Sequence, residues 1–548
     1  MSPIAHRNES PSVATEHDSD LIPAPMSNLY SLTESRNAQP PQIATPKPGD
    51  SDFITNGVVP VVEAEYLFNH YRDHVNPLLW GGALCVHQNL KDARASSSLL
   101  IAAVLTVAAL HAPRRQQSLD AAYETLVSIV RNSCMMSSQN LDDIRGLCIS
   151  AFYLTNLSWS LCSRAVRLAT EMSLHRAYVH FSRGMHGSHD RLRLWYLLYV
   201  CDHQFAIAYG RPPSMHEDAA IKNVDKFLAS PMANSGDVRL IAQVNVFRVL
   251  TEAYFLYGYD SELELADPDF EKLRSLNLSI DQWRIAFQSK SADMPTYGSY
   301  PSKGTILYYQ FARFQLNSLA LRGVGKSQHQ LTPLSWDRRE AANTAISAAI
   351  STLRLVIEED DLCKALMGVP IFTHSMIAMC ASFLLKLAVT FGKPLSSGST
   401  LVPQDLSASG LMFYTPETLD LVRNLIEALA TVAERVSSRH LVNHIVTGLR
   451  ELLQCFNKSP DYAGFIFTRM NNHSRTVHPS LLSRPPSRNG ILRDHREAPF
   501  EQHNGGELHF LSESEFAGMH ESTNIMGNFD WSFDDNFLWQ FDDQNFQY

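Results

Sequence analysis

No two of the eight cysteines stand close enough for a CxxC pair; they are scattered at positions 85, 134, 148, 162, 201, 363, 380 and 455. That spacing excludes a clustered thiolate metal site and a dense disulfide framework. The first fifty residues also lack an apolar signal-like run, so the cysteines read as reduced, small apolar core residues of an intracellular protein. A spanning segment is missing from this reading too. The apolar stretch Ser96–Pro113 has a heart of only 12 residues, Leu99–Leu110, where a spanning helix needs roughly 18–20, and it is predicted to be a buried helix.

Signatures of enzyme chemistry are equally scarce. GxxxxGK[ST], GxGxxG and GxSxG do not occur. His216-Glu217 opens an HExxH whose second histidine is replaced by Ala220, so the two-His zinc face fails. Asp142-Asp143 begins a DDxxD that Ile144-Arg145-Gly146 leaves incomplete. The four acids Glu358–Asp361 read as a solvated run with no second ligand set. His186 and His189, beside Asp190, read as a surface loop with a helix cap at Ser188 or Asp190. No catalytic residue, metal site or cofactor is expected in this chain.

Positive charge is absent from one end. Glu497–Tyr548 holds eleven acidic residues and no Lys or Arg, so the remaining 496 residues carry 46 basic and 45 acidic groups, and the whole net charge of −10 sits in the last tenth. A terminal block of one sign is a solvated interaction tail.

What is present is a large helical middle. Residues 1–52 hold eight prolines and few patterned apolar side chains, and cannot offset their ordering entropy by burial. From about Val59 to Asn457 the apolar spacing is helical. Leu161, Ala165, Leu168, Ala169 and Met172 share one face. Similar patterns cover roughly 119–134, 141–157, 190–208, 238–258, 304–322, 338–358, 369–391, 416–436 and 439–456, with almost no strand alternation. The expectation is an all-α protein: a disordered Pro/Ser-rich lead at 1–55, one large multi-helix regulatory domain at 56–457, a mostly disordered linker at 458–520, and an acidic, aromatic tail at 521–548.

The most specific segment is Leu161–Met215. One amphipathic helix is predicted to end near His175-Arg176, whose positive groups suit a C-terminus. A Gly/Ser/His loop follows, then a second helix from about Asp190, rich in aromatics. Gly210 can close it in the left-handed conformation, and Pro212 and Pro213 forbid continuation. Asp202 lies on a mostly apolar helix, where an unpaired carboxylate is costly. An arginine partner is expected, with Arg211 and Arg167 as first candidates.

The wording of this segment resembles the middle homology region of fungal zinc-cluster (Zn2Cys6) transcription factors. The matching residues are Ala165, Arg167, Ala169, Leu174, His175 and Arg176, then Arg193, Trp195, Tyr199, Asp202, Gly210, Arg211 and Pro212, with Pro213 following. Tyr196 stands for the family's second Trp, and His203 for a residue that is often Arg. Asp-His-Gln-Phe and Gly-Arg-Pro-Pro are similar to the subgroup that controls secreted-protease genes. The resemblance implies a nuclear transcription regulator of a metabolic or secreted-enzyme gene set, with the motif residues in an architectural role. It also implies an N-terminal six-cysteine, two-zinc cluster that reads DNA. No cysteine precedes Cys85 here, so zinc is expected only in a missing cluster. DNA contact then runs through that cluster or through a partner protein. A truncated gene model, a paralogue without the cluster and a partner-dependent regulator all remain open. The polar lead is similar to the linker that follows the cluster and favours loss of an upstream exon.

In the tail, Phe529, Trp531, Phe533, Phe537, Leu538, Trp539, Phe541 and Phe546 interleave with five aspartates. Acid keeps such aromatics soluble until they bury in a coactivator groove. Phe533, Phe537 and Phe541 can share one helical face in the helix-in-groove mode. Docking on the chain's own bundle is the competing reading. An interhelical cleft is a place for a small effector, and homodimerisation is open. The alternative function is a helical co-regulator or scaffold that does not itself bind DNA.

Overall fold

The computed structural model describes residues 52–133, 139–258, 264–322, 334–391 and 410–458. Described residues form no β-strand; a lone antiparallel bridge joins Met294 and Gly298. The described part of the chain is all-helical. Helix α1 is Val61–His70 and continues through a π-helical turn, Tyr71–Val75, into a short 3-10 turn. Helices α2 (Leu90–Ser96), α3 (Ser98–His111), α4 (Gln116–Ser133) and α5 (Leu141–Tyr153) follow. The next group is α6 (Ser158–Glu171), α7 (Ala177–Ser182), α8 (Ser188–Ala208), α9 (Ala219–Lys222) and α10 (Val224–Leu228). Then come α11 (Ser235–Tyr257), α12 (Asp267–Gln288), α13 (Tyr300–Ser318), α14 (Trp336–Glu358) and α15 (Asp360–Ala365), and last α16 (Ile371–Phe391), α17 (Thr415–Ala433) and α18 (Leu441–Lys458).

Helix starts are written locally. Asn140 and Asn234 each accept from the second and third amides of the helix they open, while Asp143 and Asp237 reach back to the Asn main chain. These reciprocal bonds satisfy donors the helix itself cannot.

Helix α3 is the centre of the N-terminal half. Every residue from Leu99 to His111 is buried, and α1, α2, α4 and α5 pack around it. An all-round apolar helix belongs inside a bundle. Gly146 on α5 permits the close crossing, because a Cβ there would stand 2.6 Å from the Leu99 side chain and 3.0 Å from the Leu100 backbone. The second central helix is α16. Its window Ile371–Ala388 is long and apolar enough to cross a membrane by composition, yet 89% of it is buried inside the bundle. Helices α14, α17 and α18 pack against it.

Several expectations shift. Asp52 to Thr55, assigned to the disordered lead, are part of the folded unit: Arg94 donates to Asp52 at 2.6 and 2.7 Å, and Ile54 is buried. Helix α6 stops at Glu171, before His175-Arg176, because Ser173 adopts the left-handed conformation at φ 60°. The expected loop after it contains a 3-10 turn and α7. Helix α12 lies in a region without a predicted helix, although Pro268 and two first-turn aspartates mark its start. The acids of Glu358–Asp361 are also not a bare solvated run: Lys303 binds Glu359, and the amide and hydroxyl of Ser299 both donate to Asp361 at 2.9 Å.

Candidate functional site: the α6–α11 clamp

Helix α8 carries most of the motif residues, and its side chains converge on the segment 209–222 that follows it. Gly210, at φ 57°, ends the helix: its amide bonds to Ile207 O and the Arg211 amide to Ala206 O, at 3.2 and 2.8 Å. That 6→1 and 5→2 pair is the Schellman arrangement, as the glycine and the two prolines foretell. The chain then folds back. Asp202 Oδ2 accepts from the amides of Ser214 and Met215 at 2.8 and 2.7 Å. Trp195 Nε1 donates to Asp218 Oδ2 at 2.9 Å, and Tyr196 OH donates to Ala220 O at 2.9 Å. Asp218 also caps α9 by accepting from Ile221 N. Three residues of one helix thus hold the returning strand of chain at three successive points.

The expected Asp202–arginine pair does not form. Asp202 is buried and satisfied by main-chain amides. Burial pushes its carboxyl above the ordinary range, against the lowering effect of the Met215 and Ser214 bonds. Arg211 instead lies over the Trp159 ring at 4.8 Å and the Tyr209 ring at 5.5 Å, a cation–π arrangement. Arg167 is on the exposed face of α6 and pairs with Glu171 at 3.0 Å. An amide pair in a tight turn is invisible to a search for opposite charges, which explains the miss.

The other motif residues divide by face. Ala165, Ala169 and Leu174 are buried, whereas His175 is exposed. Tyr199 and His203 are buried and stacked with ring centroids 3.7 Å apart. Burial holds the His203 imidazole down to about 3, so it is neutral. Pro213 is buried and Pro212 exposed. The His186–Asp190 loop is corrected in two respects. The residue before α8 is Gly187, in the left-handed conformation, not a Ser188 or Asp190 cap. His189 is buried and stacks on Phe227 at 4.5 Å.

Alternating charges tie this region to its neighbours. His87 Nε2 meets Asp142 Oδ2 at 2.7 Å, Arg145 meets Asp142 and Asp190 at 2.5 Å each, and Arg193 meets Asp237 at 2.6 Å. Arg193 also lies 3.9 Å from Asp190. The ladder crosses α5, α8 and α11. Burial acts to raise the Asp142 pKa, but the bonds from Ser96, His87 and Arg145 outweigh it and the carboxyl stays below its ordinary value.

Beside the clamp is a groove of about 860 Å³, whose walls include Tyr199, Met215 and Arg248 on one side and Trp283 and Phe287 of α12 on the other. Sequence reasoning could not place it, because its second wall is the helix it missed. Among the described residues no group of three or more His, Cys, Asp or Glu side chains is arranged to hold a metal ion. The aromatic residues from Phe529 to Phe546 lie outside the described residues.

Residues 53–222, which contain the α8 helix and the segment it holds, match the fungal specific transcription factor domain. The match covers α1 to α9 of the helical unit, which is similar there to the fungal specific transcription factor domain. Two relatives extend the likeness. The chain is 45% identical over 452 residues to the transcriptional activator of proteases prtT of Emericella nidulans, covering 80% of this chain and 65% of that protein. It is 23% identical over 348 residues to protein priB of Lentinula edodes, covering 61% of this chain and 56% of that protein. The chain spans less than two thirds of the length of either relative.

Proposed function

We propose that this chain acts in the nucleus as a transcription activator of genes for secreted enzymes, proteases foremost. The observation that carries the reading is the 45% identity to an activator of proteases, sustained over 452 residues and so far beyond the matched domain. The helical unit serves as the regulatory module. Trp195, Tyr196 and Asp202 are engaged in holding one segment against α8 and Arg193 in anchoring α11, which supports an architectural role for them. The acidic, aromatic segment 521–548 recruits a coactivator, and DNA is reached through a zinc cluster or a DNA-binding partner. The 860 Å³ groove beside the clamp is the place for a small effector.

Deleting the gene and following secreted-protease transcripts and extracellular proteolysis tests this. A loss of both, restored by the reintroduced gene, is expected. Unchanged transcripts under protease-inducing conditions reject the reading. Chromatin capture of the tagged full-length protein at those promoters separates the activator from a scaffold that never reaches them.

A further inference from the structure

We propose that His111, His374 and His440 form an acid-release latch that fastens the start of α18 to α3 and α16. The three rings meet in the core, with His440 4.9 Å from His111 and 5.3 Å from His374 between centroids. They come from three distant stretches of chain: the end of α3, the first turn of α16, and the turn that leads into α18. All three are buried. A cavity of about 50 Å³ lies against His374, His440 and His444.

The hydrogen bonds leave His111 and His440 no place for a second proton. His111 Nδ1 faces Val107 O at 2.7 Å and must donate, so the free lone pair is on Nε2, which has no partner. His374 Nε2 donates to Leu366 O at 3.0 Å; its Nδ1 completes no further hydrogen bond, although the Pro370 carbonyl also acts on the ring and favours its charged form. His440 Nδ1 accepts from the Val442 amide at 3.3 Å, so a proton there would set two donors against each other. A charged imidazole needs two acceptors; His111 and His440 have at most one each, and His374 has Leu366 O with the Pro370 carbonyl as a lesser second.

The surroundings offer no counter-charge. None of the three forms an ion pair with any described residue. From α1 and its π-helical turn, His111 faces His70, which sits beside His74 and Asp73. From α5 the phenol of Tyr153 packs edge-on against His111 at 5.0 Å. From α18, His444 adds a further imidazole. The neighbouring cation Arg439 is held by Asp120 of α4 at 2.5 Å. Burial holds His111 at about 3 and His374 at about 4, and drives His440 down, with the neighbouring imidazoles acting in the same direction on His111 and His440.

The sign follows. With folded values below the unfolded 6.5, the closed form is at full strength above that pH and loses ground as pH falls below it, because only the opened imidazoles take up protons. Between pH 7.5 and 5.5 each released imidazole shifts the open-to-closed ratio about tenfold, about 1000-fold for three. The turn bearing His440 is otherwise tied to α3 by the bond from Ser437 N to Leu110 O at 3.1 Å. Opening releases the turn at the start of α18, the helix that leads into residues 459–548.

Hydrogen exchange of the full-length protein at pH 7.5 and 5.5, corrected for the intrinsic rate, tests the latch. Amides of 434–446 and 105–112 are expected to lose protection by about two to three orders of magnitude, while α11 keeps its protection. A loss below tenfold, or an equal loss in α11, overturns the proposal. The double variant His111→Asn, His440→Asn retains a donor toward Val107 and an acceptor for Val442 without a titrating ring. It is expected to reduce the loss about 100-fold; an undiminished loss also overturns the proposal. Should that variant not fold, the wild-type comparison with α11 decides.

Discussion

Arg193 and Asp237 meet side-on: Nε donates to Oδ1 at 2.6 Å and Nη2 to Oδ2 at 2.8 Å, joining a motif residue of α8 to the first turn of α11. Asp237 is buried, and its Oδ2 also accepts from the Asn234 amide. One carboxylate therefore caps a helix and anchors it to the matched domain. Arg193→Ala should destabilise the fold by about 3–5 kcal/mol, because it leaves a buried carboxylate unpaired. Arg193→Lys, which keeps the charge but loses the two-pronged geometry, should cost less. Urea unfolding of the single variants and of the double variant with Asp237→Asn measures the coupling.

Asp202 offers a contrast between charge and shape. Asp202→Ala orphans the Ser214 and Met215 amides and should cost about 1–3 kcal/mol. Asp202→Asn keeps an acceptor oxygen and removes a charge whose burial is unfavourable, so its cost should be smaller. Comparable losses for the two in urea unfolding would show that the charge matters more than the acceptor.

Gly236 touches the Trp80 carbonyl so closely that an added Cβ would stand 2.1 Å from its oxygen. Gly236→Ala should therefore destabilise by about 3 kcal/mol or more. Gly304→Ala, where the nearest neighbour is 3.8 Å away on α13, should be neutral to stabilising by up to about 1 kcal/mol. The difference in thermal midpoint between the two variants checks the helix contact.

Thiol reactivity should follow burial. Cys85, Cys148, Cys162, Cys201 and Cys380 are buried, and burial pushes Cys85 to about 11 and Cys380 to about 12. Brief alkylation at pH 7.5 followed by peptide mapping should leave these five unmodified until denaturant is added. Cys363 is only partly buried and should react before those five.

The tail makes the remaining prediction. Fused to a heterologous DNA-binding domain, residues 459–548 should activate a reporter. Replacing Trp531, Phe537 and Trp539 with Ala should abolish that activation at equal protein level.

Much of the helical framework is legible in the chain because it is written locally. The 3.6-residue apolar spacing marks α6, α8, α11 and α14 within a few residues, and Gly210-Arg211-Pro212-Pro213 marks the end of α8. Such signals involve neighbours in sequence, so one chain suffices to read them. Helix α12 carries the same local signal, with Phe270, Leu273, Leu276, Ile280, Trp283 and Phe287 recurring every three or four residues behind Pro268 and two first-turn aspartates, so it too is legible in the chain.

The sequence by itself determined the all-helical class, the turn after α8 and the family likeness carried by Leu161–Met215. Only the tertiary structure decided the partners: Asp202 with two amides and no arginine, Arg193 with Asp237, and three histidines from residues 111, 374 and 440 in one core. Helix periodicity is a property of residues three and four apart. A hydrogen bond across hundreds of residues depends on how whole helices cross, and no local pattern encodes that.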